Sequence, residues 1–146
     1  MEKNIVINEM NMQVKSTTIN EGLVRRAVGD FVNMYTNDPE ALSDLKTSVS
    51  EAVTNCIVHA YPEEPGIIYV SAKIFKDGKV QIKIKDKGCG IENVKAAREA
   101  LFSTRKFERA GLGFSVMECF MDKVKVKSTV NSGTTVTLEK KIELYE

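Results

Sequence analysis

Apolar positions along the chain recur first at helical and later at strand spacing. Residues 4–16 alternate, with Met10, Met12 and Val14 on one side, and predict an opening strand. From Asn20, a residue suited to an N-cap, Leu23, Ala27, Phe31 and Met34 follow a helical period. Asn37, Asp38 and Pro39 then close that helix and open a second. The second helix is predicted to run to about His59, with Leu42, Leu45, Val49, Val53, Cys56 and Ala60 on a face that needs a large packing partner. After the turn at Pro62 to Gly66 the period drops to two. Ile68 to Phe75 and Lys79 to Asp86 read as strands of a hairpin closed around Asp77 and Gly78. Ile91 to Arg109 has mixed charge and little period, Leu112 to Met121 is again helical, and Lys123 to Lys127 and Thr134 to Leu138 alternate around a turn at Asn131, Ser132 and Gly133. Helices packed on one face of a mixed, mainly antiparallel sheet make an α+β two-layer sandwich, here a single domain over residues 1–146.

Composition narrows the class. Of 146 residues, 42% are apolar and 28% charged with a formal charge of +1, which excludes a disordered chain, a collagen-like repeat and a strongly basic nucleic-acid binder. No apolar run approaches the roughly 18 residues of a membrane span, and the first ten residues alternate instead of forming a signal-peptide core, so a cytoplasmic protein without membrane contact is expected. Cys56, Cys89 and Cys119 are widely spaced with a single histidine, His59, in the chain. That pattern predicts reduced, packed thiols and neither a disulfide framework nor a structural zinc.

Three segments carry chemistry. In Ser50-Glu51-Ala52-Val53-Thr54-Asn55-Cys56-Ile57-Val58-His59 the spacing places Glu51, Asn55 and His59 on one stripe beside the apolar arc, so a carboxylate and an amide point the same way. Val58, apolar on the Glu51 side, predicts that this side is covered. In Asp86-Lys87-Gly88-Cys89-Gly90-Ile91, Asp86 shares the inward face of Val80, Ile82 and Ile84 by strand parity. A carboxylate there needs a partner, either a local turn amide or an amino group such as that of adenine, with Gly88 and Gly90 letting a flat ligand approach the backbone. In Arg109-Ala110-Gly111-Leu112-Gly113-Phe114 two glycines open a predicted helix whose first amides suit phosphate. Neither a Walker A loop nor a complete dinucleotide fingerprint is present.

In the order E-x-x-x-N, D-x-G-x-G, G-x-G and then Gly133-Thr134-Thr135, these segments resemble the GHKL nucleotide-binding superfamily of gyrase, Hsp90, MutL and histidine-kinase ATPase domains. Nearly the whole chain is similar to the anti-sigma-F family of spore-forming bacteria, through SEAVTNCIVHAY, AREALFSTRKFERAGLGF and MECFMDKVKV. The resemblance implies a sporulation regulator of transcription that sequesters a sigma-F-like RNA polymerase sigma factor. It implies as well a serine kinase that inactivates an anti-anti-sigma protein by phosphorylation from ATP and Mg²⁺. By the same resemblance Glu51 is the general base, Asn55 the Mg²⁺ ligand, Asp86 the acceptor for the adenine amine, and Thr134 its partner through water. Parity agrees with Thr134 over Thr135, since Thr134 shares the face of Val136 and Leu138. Residues about 92–110 would form an ATP lid, Gly111 and Gly113 would hold phosphate, and Arg109 would reach the γ-phosphate, with Arg105 and Lys106 as alternatives. Phosphoryl transfer rests mostly on positioning and charge neutralisation, so few protein groups are required. Arg25, with Arg26 as alternative, matches the family's partner-contacting arginine, and a homodimer is implied, with Met10, Met12 and Val14 as candidate contacts. An anti-sigma-B type of kinase, a nucleotide-gated sigma-binding module without phosphotransfer, and a structural domain without nucleotide are the alternatives. Glu51 argues against the second and the four motifs together against the third.

Overall fold

The structure is a computed structural model that describes residues 5–95 and 105–145, without the side chains of residues 105–112. It opens with strand β1, Val6–Lys15, followed by helices α1, Ile19–Asn33, and α2, Pro39–Asn55. The break between the helices is chemical. Asp38 is extended, and its carboxylate accepts from the amides of Glu40 and Ala41 at 3.1 and 3.4 Å, with Pro39 entering the first turn where no amide is needed. A cap of this kind contributes about 1 kcal/mol. The start of α1 departs from expectation. Thr18 holds the cap position, and the Asn20 amide donates backward to the Lys15 carbonyl at 2.9 Å and to Thr17 Oγ1 at 3.2 Å, tying the helix to the end of β1.

The buried row of α1 is also displaced by one residue from the expected row. Val24, Val28, Phe31 and Val32 face the core, while Leu23 and Met34 are 44% and 60% exposed. Both rows are apolar, so the period alone does not choose between them. In α2 the expected face is the buried one, with Leu45, Val49 and Val53 fully enclosed, joined by Ser48 and Ala52. Truncating a fully enclosed leucine such as Leu45 to alanine costs about 2–5 kcal/mol in comparable cores. Beyond Asn55 the helix widens into a single π turn, Cys56–Ala60.

The sheet is antiparallel throughout. Strands β2, Ile67–Phe75, and β3, Lys79–Asp86, form the expected hairpin, and β4, Lys123–Thr129, and β5, Gly133–Lys141, form the second, in the order β1-β2-β3-β5-β4. Inward parity buries Ile68, Ile74, Ile82, Ile84 and Leu138 under the helices, and outward parity leaves Lys83, Lys85, Lys125 and Lys127 on the open face. Helix α3, Arg105–Phe120, completes the helical layer with Phe114 and Met117 enclosed. Lys140 joins both layers, reaching Asp44 of α2 at 3.5 Å and the carbonyl of Phe120 at the end of α3 at 2.7 Å.

Helix α3 begins seven residues before the expected start at Leu112, because Lys106, Glu108, Arg109 and Ala110 are themselves good helix formers. Gly111 and Gly113 therefore lie inside the helix and do not open it. Residues 105–110 of the expected lid belong to α3. Residues 96–104 of that lid, and the side chains of Arg105, Lys106 and Arg109, lie outside the described residues.

Candidate functional site

A cavity of about 300 Å³ opens between the end of α2 and the far ends of β3 and β5. Ala52, Ile84, Ile91, Phe114, Val130 and Val136 supply apolar walls, while Asn55, His59, Asp86 and Thr134 are among its polar lining residues. The size and lining match a pocket that encloses a flat heterocycle and reads it through few polar groups.

Strand β3 carries Asp86 inward, as parity predicts, leaving it 5% exposed. Its carboxylate is held on three sides. Oδ1 accepts the amides of Gly88 at 3.0 Å and Thr134 at 3.1 Å, and Oδ2 accepts the Cys56 thiol at 3.5 Å. The amides of the loop after β3 and of β5 thus satisfy Oδ1, which is the local partner the sequence reading allowed, and Asp86 also lines the cavity. Burial, and then the charge of Asp86, push the Cys56 thiol well above its ordinary pKa, so it remains protonated. Cys56 enters this site from the first residue of the π turn.

The Thr134 hydroxyl lies 2.7 Å from Ser128 Oγ, its neighbour across the β4–β5 pair. Ser128 also accepts the amide of Ile91 at 2.7 Å and donates to the carbonyl of Gly133 at 3.2 Å. A hydroxyl has one proton, so with Ser128 donating to Gly133 the Thr134 hydroxyl is the donor between the two. Thr134 Oγ1 then keeps acceptor capacity toward the cavity.

The glycines of the loop after β3 serve the chain itself. A side chain at Gly88 would run into the Ala60 carbonyl of the π turn, and Gly90, at φ +76, abuts the Thr129 carbonyl. Close packing of protein on protein therefore requires glycine at both positions. The same loop is bonded to the π turn, with the Cys89 amide on the Ala60 carbonyl at 2.9 Å and the Cys89 thiol on the His59 carbonyl at 3.1 Å. The Tyr61 hydroxyl accepts the Lys87 amide and donates to the Ile67 carbonyl, both at 2.7 Å. Burial raises its pKa, against the lowering effect of the Lys87 amide.

Glu51 and Asn55 project together toward α3. A Cβ at Gly113 would stand 3.1 Å from Glu51 Oε2 and 3.3 Å from Asn55 Nδ2, so the missing side chain is what lets α3 lie over this stripe. Among the described residues nothing bonds the Glu51 carboxylate. The Asn55 amide oxygen and nitrogen are both withdrawn from solvent, without a hydrogen-bond partner among the described residues. An orphaned amide of this kind is costly unless a ligand completes it, and an amide oxygen suits a hard cation such as Mg²⁺. The cover over Glu51 comes from α3 and not from the side of Val58, which is 50% exposed.

Of the residues expected from sequence, Asn55, Asp86, Gly90 and Thr134 line the cavity, Glu51 and Gly113 meet beside Asn55, and the Gly88 amide bonds Asp86. Gly111 and Arg109 belong to the first half of α3, which is described only as backbone. Arg25 lies apart on α1, its Nε paired to Glu21 at 2.9 Å in an (i, i+4) pair. Sequence reasoning missed Cys56 and Ser128 as members of the site. Strand parity would have found Ser128, which pairs with Thr134, whereas the thiol contact spans 30 residues and has no local signal.

Residues 14–140 match the family described as "Histidine kinase-like ATPase domain". The chain is 47% identical over 137 residues to an anti-sigma F factor of Geobacillus sp. (strain WCH70), covering 92% of this chain and 93% of that protein. It is 42% identical over 135 residues to an anti-sigma F factor of Priestia megaterium, covering 91% and 92%. Among solved structures, the RsbU and RsbW domains of Rv1364c from Mycobacterium tuberculosis superpose with a TM-score of 0.68 at 19% identity, over 94% of this chain and 32% of that one. At that identity the likeness is one of fold.

Proposed function

Because the chain belongs to the histidine kinase-like ATPase family and stands within it among the anti-sigma F factors, we propose that it is a cytoplasmic regulator that transfers phosphate from ATP to a serine of an anti-anti-sigma protein and sequesters a sigma-F-like sigma factor. The observation that carries the kinase reading is the unbonded Glu51 carboxylate beside the orphaned Asn55 amide, both facing Gly113 next to the cavity. A module that only bound nucleotide would have no use for a free carboxylate at that place.

Asp86 accepts the exocyclic amine of adenine through Oδ2, and Thr134 accepts from a water that reaches the ring. Asn55 would hold Mg²⁺, which would supply neutralising charge along the phosphates of bound ATP. Glu51, one turn before Asn55 on the same stripe, accepts the proton of the incoming serine hydroxyl as that oxygen attacks phosphorus. Gly113 gives this stripe room by carrying no side chain. Arg109 reaches the γ-phosphate, and Gly111 and Gly113 hold phosphate. Arg25 on α1 is the partner-contacting residue; its Nε is paired to Glu21, a bond of only about 0.3–0.5 kcal/mol that leaves the other guanidinium donors for a partner. A homodimer covers the edge strand β1, whose Met10, Met12 and Val14 are half-buried and whose Val6 and Ile7 are exposed.

The test is transfer of label from γ-labelled ATP with Mg²⁺ to an anti-anti-sigma protein, run beside a substrate whose target serine is alanine. Label on the intact substrate alone supports the kinase reading. Nucleotide binding without transfer would replace it with a nucleotide-gated sigma-binding module.

A further inference from the structure

We propose that Cys56 is a positioning residue for base recognition, its thiol setting the rotation of the Asp86 carboxylate so that a lone pair of Oδ2 stays aimed into the cavity. The inference rests on the reading of Asp86 as the acceptor for the adenine amine and adds the group that makes that acceptor directional.

The argument starts from the bonds of the carboxylate. Two backbone amides converge on Oδ1, from Gly88 at 3.0 Å and Thr134 at 3.1 Å, and they anchor that oxygen to the loop after β3 and to β5. The two oxygens turn together about the Cβ–Cγ bond, so a bond to Oδ2 narrows the rotation that the bonds to Oδ1 leave open. Among the described residues the donor to Oδ2 is the Cys56 thiol at 3.5 Å, a distance suited to the larger sulfur atom. Cys56 is 5% exposed and lines the same cavity as Asp86.

A methyl group in place of the thiol would leave Oδ2 without this donor. Position matters as well as chemistry: Cys56 directly follows Asn55, at the step where α2 becomes a π turn. One stretch of backbone therefore carries both the orphaned amide at the phosphate end of the cleft and the group that orients the carboxylate at the base end.

Specificity is the consequence. A fixed acceptor favours a base that presents an amine at that edge and disfavours one that presents a carbonyl, as in inosine triphosphate. Affinities of the full chain for ATP and inosine triphosphate, each with Mg²⁺, are measured by calorimetry for the wild type, Cys56→Ala and Cys56→Ser. The wild type is expected to prefer ATP. Cys56→Ala is expected to lower ATP affinity about 3- to 10-fold and the preference by a similar factor, while Cys56→Ser, which restores an O–H donor, stays within about 2-fold of wild type. The ratio of two ligands on one sample is insensitive to any loss of folded fraction, which separates orientation from stability. An unchanged ratio in Cys56→Ala, or a Cys56→Ser protein as impaired as Cys56→Ala, overturns the inference while the base-site reading stands. A wild type that binds both nucleotides equally removes that reading and this inference together.

Discussion

The two ends of the cleft treat their polar groups in opposite ways. At the sheet end Asp86 and Ser128 are bonded from several directions and Thr134 is tied to both, all by the chain itself. At the helix end Asn55 is buried without a partner and Glu51 is bonded to nothing among the described residues. A saturated group is rigid before any ligand arrives and stabilises the fold. An unsaturated buried group is a cost to the fold that a ligand recovers. The difference suits the two tasks, since a base is read by fixed acceptors, whereas a metal ion and a proton need groups still free to bind them.

Substitutions at the two ends should therefore separate stability from activity. The largest effect is expected for Glu51→Gln, which removes the base without removing any bond: phosphotransfer falls roughly 100- to 10,000-fold with the unfolding midpoint and ATP affinity unchanged. Parallel losses of rate and of nucleotide binding would assign Glu51 to binding. Next comes Asp86→Ala, which strands the amides of Gly88 and Thr134 and costs about 1–3 kcal/mol of nucleotide-free stability, read as a lower urea midpoint, besides ATP affinity. A wild-type midpoint in that variant would show that these bonds do not stabilise the sheet end.

A pH series follows in size. The Cys56 pKa is raised in the folded chain, so its contribution is complete below the ordinary thiol value of 9.0 and is lost as pH rises toward the folded value. The urea midpoint should fall between pH 8 and pH 10, by roughly 1–2 kcal/mol at the upper limit, and Cys56→Ala should flatten that fall. Tyr61 is shifted in the same direction and accounts for a residual slope. The smallest effect on folding is expected for Asn55→Ala, which removes an orphaned amide and leaves nucleotide-free stability unchanged or about 1 kcal/mol higher, while Mg²⁺-dependent ATP binding is lost. A clear destabilisation would mean that the Asn55 amide is already satisfied without ligand, and the contrast between the two ends would fail.

Much of this arrangement was legible in the order of residues. The Asp38 cap, the Asp77-Gly78 hairpin and the inward parity of Asp86 and Thr134 follow from rules that act within a few residues, and each holds in the structure. The helical stripe likewise brings Glu51 and Asn55 together without reference to anything distant. Where two local solutions were comparable, the reading slipped. The displaced row of α1 pits one apolar stripe against another, and the early start of α3 pits a charged but helix-favouring run against two glycines.

What the sequence by itself determined are the elements, their faces and the identity of the chemical groups, because period, capping and turn geometry are set by neighbours along the chain. Only the tertiary structure decided which row of α1 is buried, which strands lie side by side, and how the groups are completed. The thiol of Cys56 reaches Asp86 across 30 residues, the Ile91 amide reaches Ser128 across 37, and the Thr134 amide reaches Asp86 across 48. Such bonds form only when the β3–β5 and β4–β5 pairs and the end of α2 are brought together. Packing of the sheet against the helices, and not any local preference, selects them.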